Sequence, residues 1–320
     1  MPSNKDTMKL FLFISLCVLL LAIFSYFTTD LSDIREKEIF FKIRLPRLLL
    51  GFIAGAVLSI AGLSFQTIFQ NPLASPFTLG VASGASLGAA IIIKANIHFE
   101  IFGVSASFLG AFAGSLLSVF FIVSMMRLKK TDRSYTMLLS GIAFSFFASS
   151  MILLLNYLGD ITDSFKMARW TMGTLDVIDY APVLRAMPFL IVSLGVVLFY
   201  YRELDIIIFG KDFAYSKGVD TEKIEKIFFI LISFSVGGII SVCGPIAFVG
   251  LIIPHLVKLI MKMRHIQLSI ACVFAGGTFL SLCDIFARML LKTSQLPIGI
   301  ITSSLGAPFL IFLLIKKSSK

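Results

Sequence analysis

The stretch RLPRLLLGFIAGAVLSIAGLSFQTIFQNPLASPFTLGVASGASLGAA, residues 44–90, decides the fold class of this chain. It contains two apolar runs separated by the short uncharged break NPLASP, and two arginines stand at its entrance. Small residues recur along both runs at steps of four, as in Gly51, Gly55 and Ser59. Residues four apart lie on the same face of a helix, and small residues on such a face let helices approach closely within a membrane. The stretch therefore predicts packed membrane-spanning helices rather than the core of a soluble domain.

The composition is that of a membrane protein. Of the 320 residues, 58% are hydrophobic and only 14% are charged, and the mean hydropathy is +0.96. An ordinary soluble domain has about 25% charged residues, so most of this surface must face something other than water. The net charge is +10, but the basic residues are scattered and flank apolar runs. This pattern indicates membrane topology rather than a surface for nucleic acid.

The four cysteines all lie inside apolar runs and form no C-x-x-C pair: Cys17, Cys243, Cys272 and Cys283. Cysteine in such surroundings usually packs as a small hydrophobic residue. The sequence therefore predicts neither a disulfide framework nor a metal site, and no motif indicates a cofactor.

Ten apolar runs are candidates for membrane-spanning helices, because a helix needs about 20 apolar residues to cross the hydrocarbon core. They lie at residues 10–27, 47–69, 77–94, 104–126, 136–157, 186–201, 227–244, 246–261, 268–288 and 297–315. Only Gly244 and Pro245 separate the seventh run from the eighth, so nine or eleven spans are the alternatives. The first run is longer than the apolar region of a signal peptide, and no A-x-A-like cleavage site follows it, which predicts a retained helix.

Ten spans place both termini on one side of the membrane. We expect that side to be the cytoplasm, because the larger share of Lys and Arg lies there. Lys42, Arg44 and Arg47 oppose this rule, since they fall on the outer side, and such a cluster suggests a function at that place. Asp284 and Arg288 are the main charges within the spans, one helical turn apart near an outer end, and a local ion pair is one interpretation of them.

No catalytic or nucleotide-binding motif is recognisable. The histidines His98, His255 and His265 are far apart in the sequence. We expect His265, in the basic segment MKMRH, to be a solvated interface residue, and His255 to serve packing or capping. The Gly210–Lys211 pair lacks the upstream glycine and the following Ser or Thr of a phosphate-binding loop. The sequence therefore predicts a protein that is not an enzyme.

The spans carry few of the carboxylates and histidines that ion-coupled carriers keep as proton or sodium relays. A pore without such a relay and without a nucleotide site needs energy from a partner, so a stand-alone secondary carrier is the less favoured hypothesis. Residues 55–72 also align without gaps to residues 237–254, which leaves an internal repeat open.

Residues 202–226 form the longest polar stretch on the inner side, and a largely apolar run, residues 204–209, lies in its middle. Short amphipathic helices that lay an apolar face into a groove on another protein would use such a pattern. An interfacial helix on the lipid headgroups is the alternative. The long outer loop at residues 156–185 contains Trp170, which we expect at the membrane interface.

Four motifs follow one another along the chain. They are RLPR at residues 44–47, NPLA at 71–74 followed by LGV at 79–81, GPIAFVG at 244–250 running to Pro254 and His255, and LPIG at 296–299 with LGAP at 305–308. With these motifs the chain resembles the FecCD family, the permease subunits of binding-protein-dependent ABC importers for iron–siderophore complexes, haem and vitamin B12. The resemblance covers nearly the whole chain.

The resemblance implies an all-α polytopic membrane protein with the type II ABC importer permease fold, about ten transmembrane helices and a single permease domain over residues 1–320. It implies a location in the bacterial cytoplasmic (inner) membrane. The implied partners are a second permease subunit (a homodimer or a sister permease), an ABC ATP-binding subunit inside, a periplasmic or lipid-anchored substrate-binding protein outside, and membrane lipid. A ferric siderophore is the expected substrate, with haem or vitamin B12 as the alternative.

Three groups of residues take their expected roles from the resemblance. Arg44, Arg47 and Arg288 are similar to outer arginines that dock the binding protein. The inner gate is expected at Asn71, Pro72 and Leu73, with Ser140 and Gly141 as the alternative position. Coupling to the ATPase is expected within residues 202–226, at Phe213, Ala214, Gly218, Val219 and Asp220.

Overall fold

The computed structural model describes residues 4–27, 38–101, 103–128, 133–261, 263–290 and 296–318. Within these ranges the chain forms thirteen α-helices: α1 (Asn4–Phe27), α2 (Leu45–Ile68), α3 (Val81–Lys94), α4 (Ala106–Leu128), α5 (Arg133–Tyr157), α6 (Ile161–Thr171), α7 (Ala181–Phe199), α8 (Tyr201–Ile207), α9 (Lys211–Ser216), α10 (Thr221–Cys243), α11 (Val249–Ile260), α12 (His265–Leu290) and α13 (Ile298–Ser318). A π-helical turn, Phe40–Arg44, leads into α2. Two short antiparallel strands, β1 (Glu100–Ile101) and β2 (Val104–Ser105), are the exception to the all-α class that the sequence predicts.

Each of the ten predicted spans coincides with a helix. Six stretches are long and apolar enough to cross a membrane: Phe40–Ile68, Ala106–Met126, Ser134–Tyr157, Ala181–Phe199, Thr221–Cys243 and His265–Leu290. Shorter apolar helices cover Met8–Leu21, Val81–Lys94, Val249–Ile260 and Ile298–Ile311. The seventh and eighth spans are separate helices, because Gly244 adopts a φ of 71° and Pro245 cannot continue the hydrogen-bond ladder of α10.

α2 is the central helix. Of the 18 residues in the most apolar stretch of Phe40–Ile68, 83% are buried inside the chain. Small residues allow it to cross two neighbours closely. A Cβ added to Gly55 would lie 2.1 Å from the carbonyl oxygen of Gly276 on α12, and one added to Gly62 would lie 1.5 Å from that of Gly250 on α11. Neither position accepts a larger residue unless a backbone moves, so the predicted small-residue face is confirmed as a packing face.

α5 is the opposite extreme. Of the 18 residues in its most apolar stretch, only 11% are buried inside the chain. Phe146 and Leu153 are 71% and 70% exposed. In a membrane, such a helix has most of its surface available to lipid or to another chain.

The outer loop predicted at residues 156–185 contains a helix, α6, that the sequence analysis missed. Its eleven residues are too few and too polar for a span, so the search for apolar runs could not detect it. α6 is amphipathic: Met167 is buried, and Asp163 lies 3.9 Å from Lys94 of α3 in an ion pair. Trp170, near the end of α6, packs against the hydrophobic core.

The internal match found in the sequence pairs positions whose backbone conformations differ. Gly62 lies within α2, whereas Gly244 has a positive φ of 71° and ends α10. Pro72 lies in a turn, whereas Pro254 lies inside α11. The two aligned segments are therefore not equivalent in local structure.

Candidate transport pathway and coupling surface

A cleft of about 540 Å³ lies between α3, α5, α13, the end of α6 and the break between α10 and α11. Six of its lining residues carry hydroxyl groups: Ser83, Ser86, Ser149, Thr171, Ser303 and Ser304. None of the described residues around it is charged. Because α5 supplies one wall, the cleft belongs to the part of the surface that the chain itself leaves uncovered. We refer to it below as the hydroxyl-lined cleft.

Two of the four sequence motifs meet at this cleft. In GPIAFVG, Gly244 and Phe248 have φ angles of 71° and 69°, and positive φ at a phenylalanine is unusual and strained. Gly299, in LPIG, donates its amide hydrogen to the carbonyl oxygen of Met172 at 3.1 Å. The amide of Thr174 donates to the last carbonyl of α10 at 2.7 Å. Met172 and Thr174, which follow α6, are therefore hydrogen-bonded to LPIG and to the end of α10 beside GPIAFVG. The sequence analysis assigned no role to either residue.

The end of the helix bundle that is expected to face outward, called the outer end below, contains a buried charge network. Arg47 Nε, on α2, donates to both carboxylate oxygens of Asp284 on α12, at 2.9 and 3.0 Å, and Arg47 Nη1 lies 3.3 Å from Asp176 Oδ1. Arg288 Nε lies 3.2 Å from Asp284 Oδ2. Only 4% of the Arg47 side chain and 2% of the Asp284 side chain are exposed. Asp284 therefore lies between two guanidinium groups, and the arginine of α2 joins two helices and the segment before α7.

This network changes the interpretation of the outer arginines. Arg47 is buried and its guanidinium is paired with the carboxylate of Asp284 inside the chain, so in this conformation it is not exposed to a partner, and its docking role stays a prediction. The interpretation of Asp284 and Arg288 as a local ion pair is confirmed. Arg44 and Arg288 are partly exposed, and their docking role stays a prediction.

The segment after α2 contains the expected inner gate. Gln70 has a φ of 48°, so the chain turns sharply before Asn71. Asn71 Oδ1 accepts a hydrogen bond from the amide of Leu73 at 2.9 Å, which closes an Asx turn. Pro72 is exposed, and Leu73 is 45% exposed. The turn thus holds an apolar side chain at the surface, and the gate role of these residues stays a prediction.

The alternative gate position lies against the other end of the same segment. A Cβ added to Gly141 on α5 would lie 2.8 Å from the Cα of Leu79, and one added to Gly80 would lie 2.9 Å from the carbonyl oxygen of Gly141. Ser140, beside it, is partly exposed. The segment between α2 and α3 therefore packs directly on α5, and both proposed gate positions belong to one connected unit.

On the side that is expected to face the cytoplasm, called the inner side below, the prediction of short helices within residues 202–226 is confirmed by α8 and α9. The rings of Phe209 and Phe213 are 5.9 Å apart in an edge arrangement, and these side chains are 74% and 45% exposed. Tyr215 is 78% exposed. Exposed aromatic side chains close together along the chain are typical of an interaction surface. We call Phe209, Phe213 and Tyr215 the aromatic surface.

The other expected coupling residues shape this segment instead of presenting side chains. Ala214 and Val219 are buried in the chain's own core, at 0% and 9% exposure. Gly218 has a φ of 80° and ends the turn after α9, which a residue with a Cβ would strain. Asp220 caps α10, since its side chain accepts from the amide of Lys223 at 3.0 Å. The run at residues 204–209 is likewise divided, because its first residue is buried and its last is exposed.

α9 is held by a polar cluster that we call the α9 anchor: Lys211, Glu225 and Ser134. Lys211, the first residue of α9, forms an ion pair with Glu225 of α10 and donates to Ser134 Oγ of α5 at 2.6 Å. Glu225 is only 3% exposed. A buried carboxylate is costly unless a cation compensates it. The anchor therefore ties the short helix to α5, one wall of the hydroxyl-lined cleft.

α8 is held by a second cluster, the α8 anchor: Asp205, His265 and Thr67. Asp205 accepts from the amide and from Nδ1 of His265, both at 2.8 Å, and His265 Nε2 lies 3.0 Å from Thr67 Oγ1 on α2. Burial raises the pKa of Asp205, but the hydrogen bonds from the side chain and amide of His265 outweigh it and hold that pKa below its ordinary value. His265 is 1% exposed, so the expectation of a solvated residue is wrong: its imidazole points inward to Asp205.

A third contact joins the coupling segment to the gate segment. The side-chain amide of Gln70 donates to the carbonyl oxygen of Ile207, the last residue of α8, at 2.8 Å. A displacement of α8 would therefore pull directly on the residue before Asn71.

The sequence analysis missed the carboxylates in these clusters. Glu225 lies in the charged segment EKIEK and Asp205 beside other charged residues, where solvation is the ordinary expectation. Glu225 meets Lys211, 14 positions away (225 − 211), and Ser134, 91 positions away, and Asp205 meets His265, 60 positions away. Only Asp284 carried a detectable signal, because it stands inside an apolar run.

The chain matches the model of the FecCD transport family over residues 8–316. It is 34% identical to the uncharacterized ABC transporter permease protein YvrB of Bacillus subtilis (strain 168), over 89% of this chain and 81% of that protein. It is 35% identical to the cobalamin import system permease protein BtuC of Halobacterium salinarum, over 85% and 72%. It is 30% identical to the iron(3+)-hydroxamate import system permease protein FhuG of Bacillus subtilis (strain 168), over 88% and 85%.

Solved structures share the fold. A metal-chelate type ABC transporter in an inward-facing conformation superposes with a TM-score of 0.82 at 26% identity, over 95% of this chain and 98% of that one. PsaBC from Streptococcus pneumoniae superposes with a TM-score of 0.53 at 14% identity, over 84% and 89%, which shows a likeness of fold alone. From the motifs, the helices and these relatives together, the chain belongs to the FecCD transport family of ABC importer permeases.

Proposed function

We propose that this chain moves a metal chelate, with a ferric siderophore as the first candidate, across the bacterial cytoplasmic membrane as a single permease domain. A separate ATP-binding subunit supplies the energy by docking on the aromatic surface. Haem or vitamin B12 is the alternative cargo, since relatives are named for hemin, cobalamin and hydroxamate import.

The observation that carries this proposal is the construction of the coupling segment. Phe209 is exposed in the turn between α8 and α9, and Phe213 and Tyr215 are exposed on α9. Buried polar anchors fasten the two helices to α2, α5 and α12. A segment that only rested on lipid headgroups would not need a buried ion pair behind it. A segment that transmits force from a partner would need one, because a loosely held helix moves without moving anything else.

The chemistry of the cleft supports a chelated metal as cargo. Hydroxyl groups offer hydrogen bonds to an organic ligand but no charge. Among the described residues, no three His, Cys, Asp or Glu side chains lie together as a set of metal ligands. A metal ion passing this cleft would therefore remain bound by its own chelator.

A stand-alone carrier is not favoured by the buried carboxylates. Asp284 and Glu225 are both buried, but each faces a cation of the same chain. A carboxylate paired in this way forms a structural ion pair, whereas a proton relay needs a carboxylate that can exchange protons along the pathway.

We further propose that a second permease chain covers the uncovered face of α5, that Arg44 and Arg288 help to dock a substrate-binding protein outside, and that both termini are cytoplasmic. The second chain gives the exposed Leu73 a mate across the pathway. In a background without the four native cysteines, Leu73→Cys should then crosslink between two permease chains, with a yield that changes when ATP is bound. Ser140→Cys, probed in parallel, distinguishes the alternative gate position if Leu73→Cys never crosslinks, because Ser140 is partly exposed whereas Gly141 has no room for a side chain.

The function is tested by reconstitution. The permease, its ATP-binding subunit and its binding protein are placed in liposomes, and uptake of a ferric hydroxamate, hemin and cobalamin is measured with and without ATP. We expect ATP-dependent uptake of one of these chelates and no uptake of free iron. Uptake that follows a proton or sodium gradient and ignores ATP would overturn the proposal.

A further inference from the structure

Lys258 lies near the end of α11 and is partly buried. It differs from other buried or partly buried cations of this chain in the kind of partner that its side chain contacts. Arg47 faces Asp284, and Lys211 faces Glu225. The side-chain ammonium of Lys258 instead contacts only a neutral group, Gln66 Oε1, at 3.4 Å. Among the described residues, no carboxylate lies within ion-pair distance of it.

A half-buried cation with a neutral partner is unfavourable. The carbonyl groups at the end of α11 compensate part of the charge, since Lys258 lies in the last turn and a helix C-terminus carries about half a negative charge. The remainder needs an anion or water, because withdrawing a charge from water costs several kcal/mol in general. The environment of Lys258 therefore favours binding of a negatively charged group.

Lys258 lines a cavity of about 430 Å³ at the inner end of the chain. Gln66, Thr67, Gln70 and His255 line it as well, and all of them carry hydrogen-bond donors or an ionisable ring. The amide nitrogens of Gln66 and Gln70 each donate to backbone carbonyls, but every such amide has two hydrogens. Among the described residues that line it, the cavity therefore offers one lysine cation close to hydrogen-bond donors, and none of them is acidic.

We propose that this cavity is a binding site for a phosphate group, brought either by the headgroup of an anionic phospholipid or by a soluble phosphate of the cytoplasm. Lysine binds phosphate as a point charge, which needs no planar geometry. Basic pockets between spans on the cytoplasmic side are where anionic headgroups bind membrane proteins. The volume exceeds that of a single water many times over, so there is room for the phosphate and the atoms attached to it.

The position of this phosphate site gives it a consequence for transport. Pro72 of the expected gate and Phe209 of the aromatic surface line the same cavity. A bound phosphate therefore touches both the segment that is expected to close the pathway and the segment that is expected to receive the ATPase.

The test compares Lys258→Gln with a matched control, Lys226→Gln, in the full transporter complex. The substitution Lys258→Gln removes the charge but keeps a polar side chain that can donate hydrogen bonds, and Lys226 is an exposed cation on the same inner side. In one arm, native mass spectrometry counts the phosphatidylglycerol that each complex retains after purification from mixed-lipid nanodiscs. In the other, the melting temperature is followed in neutral phosphatidylcholine nanodiscs as inorganic phosphate replaces chloride at constant ionic strength, because a ligand of the folded state raises it.

We expect the wild type and Lys226→Gln to bind phosphate in at least one arm, and Lys258→Gln to bind about tenfold more weakly, the factor that one charge-assisted hydrogen bond supplies. Retained lipid identifies the headgroup as the source, and a thermal shift without retained lipid identifies soluble phosphate. Equal binding by all three proteins would overturn the site. So would a Lys258→Gln complex that is less stable than the wild type without any anion, because Lys258 would then be a structural cap.

Discussion

The outer and inner ends of this chain use buried charges for different purposes. At the outer end, Arg47 and Asp284 join α2 to α12, and almost nothing of either side chain remains exposed. At the inner end, the α8 and α9 anchors fasten two short helices, and the aromatic surface in the turn between them and on α9 stays exposed. The outer network closes a surface, and the inner clusters support one. The comparison teaches that a cation near a membrane interface is assigned to docking only after its intramolecular partners are known.

The largest effect is expected at the outer network. Arg47→Ala removes the main partner of a buried carboxylate and should destabilise the permease by about 3 kcal/mol, the range for breaking one half of a buried ion pair. Thermal unfolding of the purified permease measures it. Arg44→Ala, at a partly exposed position of the same cluster, is the control and should change stability by less than about 1 kcal/mol. An Arg47→Ala permease that melts like the wild type and fails only in docking would restore Arg47 as a docking residue.

The next effect is expected on the aromatic surface. Replacing Phe209 and Phe213 together by Asp should weaken binding of the ATP-binding subunit roughly thirtyfold, since aromatic anchors at an interface centre are worth about 2 kcal/mol. Binding is measured with immobilised permease in nanodiscs. Ile161→Asp, 91% exposed on the outer α6, is the control for a new charge on an apolar surface. Unchanged binding would assign the aromatic surface to lipid, and Val219 is unsuitable for this test because it is buried.

The α9 anchor should show a smaller effect with a particular signature. Lys211→Met leaves the buried Glu225 without its cation and should cost about 1.5 kcal/mol, with fewer chelates transported for each ATP hydrolysed. Adding Glu225→Gln removes the stranded charge and should recover part of both losses. The ratio of uptake to ATP hydrolysis in proteoliposomes is the readout. If the double variant is worse than Lys211→Met alone, the ion pair is not the element that holds α9.

The smallest effect is expected at the α8 anchor, and it depends on pH. Because the pKa of Asp205 in the folded chain lies below its unfolded value of about 3.9, its stabilisation is present above pH 4 and is lost as the pH falls through the lowered value. Asp205→Asn should therefore cost about 1 kcal/mol at neutral pH and flatten the acid limb of the stability profile. Thermal unfolding between pH 3 and pH 7 measures it. A variant that keeps the wild-type acid limb would show that another carboxylate dominates there.

Local sequence signals predicted most of the fold. The ten apolar runs became helices because the length and hydropathy of a span are properties of consecutive residues. The break at Gly244–Pro245 was visible for the same reason, since both residues act on their own backbone. α6 was missed because eleven amphipathic residues carry too weak a signal against the long spans beside them.

The candidate sites were predicted less completely, because motifs locate segments but do not show which side chains point outward. Within one coupling segment, Phe213 is exposed while Ala214, its neighbour, is fully buried. His265 follows the basic residues Lys262 and Arg264, which suggest exposure to solvent. Its ring is nevertheless enclosed between Asp205 and Thr67.

The sequence by itself determined that the chain is a membrane protein, how many apolar helices it has, which family motifs it carries and which helix faces pack through small residues. Each of these properties depends on residues within a few turns of one another. Only the tertiary structure decided which charged side chains form ion pairs with each other. Arg47 finds Asp284 across 237 positions, and Lys211 finds Glu225 only because α9 folds back on α10. In a low-dielectric interior every charge must be compensated by whatever the fold brings within a few ångströms. That geometry separates an arginine that supports the structure from one that can meet a partner.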